Sequence, residues 1–177
     1  MDTGIEKKVF FIESEEKFAL CPNCGDHLIY HCRVLRGLTD TDGKKSIYSI
    51  RVLKCDNKSC PTKYHRELPD IIIPYKRYDS DSIEEAITMR NTDITVAADQ
   101  STICRWRKWF KVNAIYIIMA LLSVVAIIEN DVETSSLAIL NQKSNKPIEI
   151  IKELLVCRGK WLNKVVYMLV NSSKWIF

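Results

Sequence analysis

The sequence predicts an α+β fold: a small N-terminal β zinc ribbon, then a helix-turn-helix and a C-terminal helical region. Three observations predict it. Five of the seven cysteines and all three histidines fall within residues 21–65. Strand-like apolar stretches broken by turn residues fill the chain up to about residue 74, and helical spacing takes over from about residue 79. One helical stretch, 101–111, separates into an aromatic face and a cationic face. The expected organisation is an N-terminal segment at 1–20, the ribbon at 21–78, the helix-turn-helix at 79–111 and C-terminal helices at 112–177.

Each element has a local reason. Residues 27–36 are strand-like, with Leu28, Tyr30, Val34 and Leu35. Residues 39–43 form a turn, in which Asp42-Gly43 is a favoured hairpin pair. Residues 47–53 are β-branched and aromatic and lead into Cys55. Ile71, Ile72 and Ile73 make a short apolar run between Pro69 and Pro74. Ser82 and Glu85 have capping-box spacing, followed by Ile83, Ala86 and Ile87 at helical intervals. A short second helix is expected near 94–98, and Ser101 is expected to cap the third. Pro147 suits the first turn of a helix carrying Ile148, Ile151, Leu154 and Leu155, with Gly159 past its end. Trp161, Val165 and Met168 mark a last helix.

Composition narrows the function classes. A chain of 177 residues with 47% hydrophobic and 27% charged residues is neither wholly disordered nor collagen-like. The first eight residues are polar and lack the apolar centre of a secretory signal, so a reducing, cytoplasmic location is expected. There, cysteines bind metal or do chemistry rather than pair. The net charge of +4 conceals blocks. Residues 21–78 carry 11 basic and 6 acidic side chains, 79–100 carry 1 and 6, and 101–111 carry 4 and none. Basic blocks in a weakly charged chain point to a local polyanion-binding face.

The cysteines supply the chemistry. Cys21-Pro22-Asn23-Cys24-Gly25 is a knuckle that aims two sulfurs at one ion, with glycine for the tight turn. A tetrahedral zinc needs a second pair, and Cys55 and Cys60 supply it beyond the hairpin. His65, five residues after Cys60, is the alternative, with Cys60/His65 as the second pair. Cys32, His27 and His31 are expected at the surface or in packing, and Cys104 and Cys157 as buried helix residues. His65-Arg66-Glu67 beside Cys-x2-Cys has the parts of a zinc deaminase in the wrong order. The zinc therefore reads as structural and no enzyme activity, catalytic residue or small-molecule substrate is expected. The acids at 79–85 read as a helix N-terminus rather than a magnesium-binding nuclease site.

The basic helix supplies the partner. At about 100° per residue, Ile103, Trp106, Trp109 and Phe110 fall on one side and Arg105, Arg107, Lys108 and Lys111 on the other. As the last helix of a trihelical unit it would be a recognition helix in double-stranded DNA. Ser101 and Thr102 at its start suit a backbone phosphate, and Lys76 and Arg77 add two cations between Tyr75 and Tyr78. The next 17 residues, 112–128, carry no charge. They are short for a membrane span and are expected as a buried core helix. The alternative is a membrane-anchored zinc protein with 112–128 in the bilayer.

The motif order adds a resemblance. Cys-Pro-x-Cys-Gly, Arg-x-Leu-Lys-Cys (51–55), His-Arg-Glu-Leu-Pro-Asp (65–70), Ile-Pro-Tyr-Lys-Arg-Tyr (73–78), Ser-Thr-Ile-x-Arg-Trp-Arg-x-Trp-Phe (101–110) and Leu-Val-Asn-Ser-Ser-Lys-Trp (169–175) occur in sequence. Together they resemble a bacterial family, a domain of unknown function found with mobile elements and transposase-like proteins. The resemblance implies zinc at Cys21, Cys24, Cys55 and Cys60 and DNA binding through 101–110. It implies no catalytic site. This chain departs from the family in its wide Cys-x4-Cys pair, which keeps His65 open as a ligand. The function expected from residues and resemblance together is a zinc-stabilised DNA-binding protein. Its role would be that of a transcriptional regulator or a transposon accessory protein with a separate transposase as partner.

Overall fold

The computed structural model describes residues 9–13, 19–129, 146–156 and 160–171. Among the described residues the architecture is a four-stranded, strand-rich N-terminal region followed by four helices. Strands β2 (Leu28–Thr39) and β3 (Lys45–Cys55) form a long antiparallel hairpin. On the far side of β3, β1 (Val9–Phe11) pairs in parallel with its first half and β4 (Tyr64–Arg66) antiparallel with its second half. Two of these strands were not anticipated: three residues are too few for alternation to register.

The hairpin turn is tied down twice. Asp40 accepts from Lys44 N through its side chain and from Gly43 N through its carbonyl, at 2.8 and 3.0 Å. Gly43 has φ 81°, and a Cβ there would stand 3.0 Å from the Ala97 Cβ. Glycine is therefore required both by conformation and by the close approach of the 91–99 loop.

Register fixes which sheet face is covered. Val34 lies opposite Ile50, Arg36 opposite Tyr48 and Leu38 opposite Ser46, so these six share a face. Leu68, Ile71 and Ile72 cover it, giving a small core around Leu38, Ile50 and Ile72. The neighbouring Ile73 points the other way, into a much larger helical core. The isoleucine run read as a short apolar stretch is thus the junction of two cores.

Helix α1 (Ser80–Thr88) starts on Asp79, whose carboxylate accepts from Ser82 N at 2.8 Å. The expected Ser82/Glu85 capping box is not formed. Glu85 instead accepts from Thr95 N at 2.6 Å, and Ala97 N donates to Thr41 O at 2.8 Å. Ala98 N, the amide that a helix at 94–98 would direct to Ile94 O, donates instead to Val96 O at 2.7 Å, and no helix forms there. The trihelical expectation is corrected to two helices joined by an irregular loop.

Helix α2 (Gln100–Glu129) runs 30 residues without a break, because nothing in that stretch is proline or glycine. The separate elements expected at 101–111 and 112–128 are one rod. Its cap is Asp99, which accepts from Thr102 N at 2.9 Å, and not Ser101. Helix α3 (Pro147–Leu154) begins on proline as expected, while Gly159 lies outside the described residues. Helix α4 (Trp161–Asn171) is capped in trans by Glu84, which accepts from Leu162 N at 2.9 Å. Ile117, Leu121, Ile151, Trp161, Leu162, Val165 and Leu169 form the fully buried centre where these helices meet.

Candidate metal centre

Two loops build the centre. In the first, Cys21 N donates to Asp26 O at 2.7 Å and Gly25 N to Cys21 O at 2.8 Å. Gly25 sits at φ 75°, the left-handed conformation that closes the knuckle. In the second, Cys55 ends β3 and Cys60 follows after an Asn57 turn, in which the Asn57 side chain accepts from Ser59 N at 2.9 Å and its carbonyl from Cys60 N at 3.2 Å. That turn absorbs the extra residues of the wide Cys-x4-Cys spacing. Asp56 N donates to His27 O at 3.1 Å and binds the two loops together.

The four sulfurs of Cys21, Cys24, Cys55 and Cys60 lie within 4.8 Å of one another. Cys21 and Cys60 are 3.7 Å apart, and Cys24 and Cys55 3.5 Å. Those separations are too long for disulfides. They match the edge of a tetrahedron about 3.8 Å across that four thiolates form around zinc at ~2.3 Å. Three of the four are buried and only Cys24 reaches solvent. Burial opposes ionisation of Cys21, but amides of Asn23 and Cys24 directed at its sulfur outweigh it and bring the thiol to about 6. Cys55 is pushed by burial up to about 12, and burial raises Cys60 as well. A metal bound among these sulfurs would supply the charge that compensates their buried thiolates.

His65 borders the set rather than entering it. Strand β4 brings its Nε2 to 3.4 Å from Cys21 Sγ and 3.2 Å from Thr62 O. Cys32 and His27 lie outside the cluster, and the His31 ring lies 4.9 Å from that of Tyr64 at a 42° tilt. Cys104, expected to be buried, is exposed, and Cys157 falls outside the described residues.

The predicted nucleic-acid residues divide into two groups. Trp106, Phe110 and Ile103 are buried as the amphipathic pattern requires. Arg105, Lys108 and Lys111 are exposed, and among the described residues none is in an ion pair. Arg107 is turned inward: its guanidinium donates to Ala86 O at 2.7 Å, to Met89 O at 2.6 Å and to the Asn91 side chain. It closes the C-terminus of α1. Ser101 and Thr102 are engaged by Asp99, whose carboxylate is held below the usual range by hydrogen bonds from the Ser101 hydroxyl and Thr102 N. A negative charge therefore occupies the helix start that had been assigned to a phosphate. Lys76 lies with Nζ 4.7 Å from the Trp109 ring centre, and Arg77 is exposed. The acids at 79–85 are likewise dispersed, with Asp79 and Glu84 each capping a helix and Glu85 holding the 91–99 loop through Thr95 N.

No curated protein and no solved structure matches the chain. Residues 21–106, just under half of the chain, match a protein-family model. They run from the first knuckle cysteine to the start of α2 and correspond to the family described as a domain of unknown function (DUF6431).

Proposed function

We propose that the protein is a cytoplasmic, zinc-stapled module that binds double-stranded DNA. The observation that carries this reading is the exposed face of the first turns of α2. Lys108 and Lys111 stand there outside any ion pair among the described residues, beside Arg105, which feels the Asp99 carboxylate at the helix start, and all three lie behind a buried Trp106/Phe110 face. Cations held on a rigid helix are available to phosphates. In this reading the hairpin and its two cysteine loops are a zinc ribbon, and α1 and α2 act as a helix-turn-helix with α2 as recognition helix. Cys21, Cys24, Cys55 and Cys60 would hold the zinc, which when bound staples the loops and has no chemical step to perform.

Fluorescence anisotropy with a labelled duplex at several salt concentrations tests the reading. Affinity should fall by about one log unit per log of salt for each phosphate contact. Absence of binding at low salt, or binding indifferent to salt, would refute it. Elemental analysis should return one zinc per chain.

A second reading has its own observation. The Gln100–Val125 stretch of α2 is long and apolar enough to cross a membrane. Val112, Ile115, Tyr116 and Met119 make an exposed stripe along it, with Val112 and Ile115 over 70% exposed. Against a span stands the opposite stripe, Ala114, Ile117, Leu121 and Val124, buried in the helical core. Carbonate-resistant pelleting with membranes would favour the span and overturn the cytoplasmic reading.

A further inference from the structure

We infer that Arg36, Arg66 and Arg77, with Tyr75, form a second phosphate-binding surface on the sheet, joined through Lys76 to the exposed face of α2, so that bound DNA crosses both. This rests on the proposed DNA-binding function and extends it to residues outside the helix.

Three strands of the argument converge. The first is register. Arg36 lies opposite Tyr48 and Arg66 opposite Val52, and Tyr48 and Val52 alternate on one face of β3. Both arginines therefore belong to the face covered by 68–72. The second is the returning chain. Thr39 N donates to Arg77 O at 2.9 Å and Asp79 N to Thr39 O at 3.0 Å, which lays residue 77 along the end of β2. Arg36 reaches across to donate to Lys76 O at 2.7 Å. Cations from β2 and β4, which flank β3 on opposite sides, and from this segment thereby share one face of the sheet around the 68–72 cover.

The third is charge. Among the described residues none of the three arginines is in an ion pair, whereas Arg33 and Arg51 on the same sheet are each paired, with Glu13 and Glu67. Burial, then Arg66 and Arg77, disfavour the charged form of Arg36. Like charges collected at partial burial, without a carboxylate, are offset most simply by an external anion. Asp40 and Asp79 act on the neighbouring Tyr48, Asp79 is committed to the start of α1, and Glu67 is paired with Arg51. Tyr75 has φ 65°, a left-handed conformation unfavourable for a bulky residue, and its side chain is 67% exposed beside the guanidinia. Lys76, seated on Trp109, connects this face to α2, where Arg105 and Lys108 continue the cationic band.

The phosphodiester backbone is the anion this band fits, because the cations are spread over two elements rather than focused on one pocket. The experiment compares the native protein with two double variants, Arg66→Gln/Arg77→Gln and Lys108→Gln/Lys111→Gln. A 20-base-pair duplex is titrated at several salt concentrations, with circular dichroism and metal content as controls. All four positions are exposed, so both variants should fold. Each double variant should bind roughly 10-fold more weakly and lose about two from the salt slope. Native binding with only the helix variant impaired overturns this inference and leaves the proposed function standing. No native binding overturns both. Binding to vesicles containing phosphatidylserine but not to duplex, abolished in Arg66→Gln/Arg77→Gln, would assign the sheet face to a membrane and also overturn it.

Discussion

Arg107 and Lys108 are neighbours in sequence and were indistinguishable as cationic candidates, yet the fold separates their tasks. Arg107 spends its fork on the last carbonyls of α1, where a cation is doubly favoured, by hydrogen bonds and by the helix dipole. Lys108 faces water. Arg107→Ala should therefore cost about 2 kcal/mol of stability by denaturant unfolding, since it leaves charge-assisted acceptors at Ala86 and Met89 unpaired. It should leave the salt slope of duplex binding unchanged. Lys108→Gln should do the reverse: stability within about 0.5 kcal/mol of native and a slope reduced by about one. A loss of slope in Arg107→Ala at retained fold would reassign that residue to the DNA face. Helical-wheel arithmetic placed Arg107 at the edge of the cationic sector. Nothing local to 101–111 could reveal that α1 ends beside it, because that contact spans 21 residues.

At the scale of elements, the legible parts were those with local signals. The hairpin was readable from β-branched residues around Asp42-Gly43, and α3 from Pro147. The four cysteines were readable from spacing alone, since a knuckle on each side of a hairpin brings its sulfurs together whatever surrounds them. The helix predicted at 94–98 is absent because the segment is drawn out between Glu85 and Thr41 and Ala98 N turns to Val96 O, tertiary choices that propensity does not see. The apolar run after Lys111 continues the basic helix, because charge pattern changes there while helix propensity does not. Two measurements probe the elements as found. Leu121→Ala in the buried stripe of α2 should cost about 2–5 kcal/mol, whereas Met119→Gln, 54% exposed, should cost less than about 0.5 kcal/mol. Equal costs would mean that the stripe is covered. The α1–α4 contact should be pH-sensitive. Burial raises the Glu84 carboxyl, so its neutral form is the one the fold favours. The stability linked to it is present at low pH and is lost as pH rises through the folded-state value. Glu84→Gln retains an acceptor for Leu162 N and should flatten that part of the stability profile above the ordinary carboxylate value of 4.5. An unchanged profile would place the pH dependence elsewhere.

The whole molecule is organised as two cores of unequal means. The helical core is continuous across four helices and contains Trp161, Ile117 and Leu121 without exposure. Among the described residues the sheet core is small, with Leu38, Ile50 and Ile72 buried at its centre and Val52 and Leu53 buried further along β3, a modest basis for folding by burial alone. The four-cysteine site lies at the opposite end of β3 from the hairpin turn, where the small core does not reach. A structural zinc in such a site contributes on the order of 10–16 kcal/mol, comparable with the ~5–15 kcal/mol that keeps a whole domain folded. The sheet should thus depend on metal while the helices do not. Hydrogen exchange after chelation, or in Cys55→Ser, should lose protection along β2 and β3 and keep it at Ile117 and Leu121 of α2. The links between the cores include the Ile72–Ile73 step, Asp79 N to Thr39 O, Ser80 N to Ile71 O, Ala97 N to Thr41 O, and Lys76 on Trp109. Collapse of both regions would show that these links couple the two cores, and persistence of both would show that the sheet stands without metal. DNA binding should follow the same division. The chelated protein should keep the share of the salt slope carried by Arg105, Lys108 and Lys111 and lose the share carried by the sheet face, because only the former stands on a scaffold that no ion holds together.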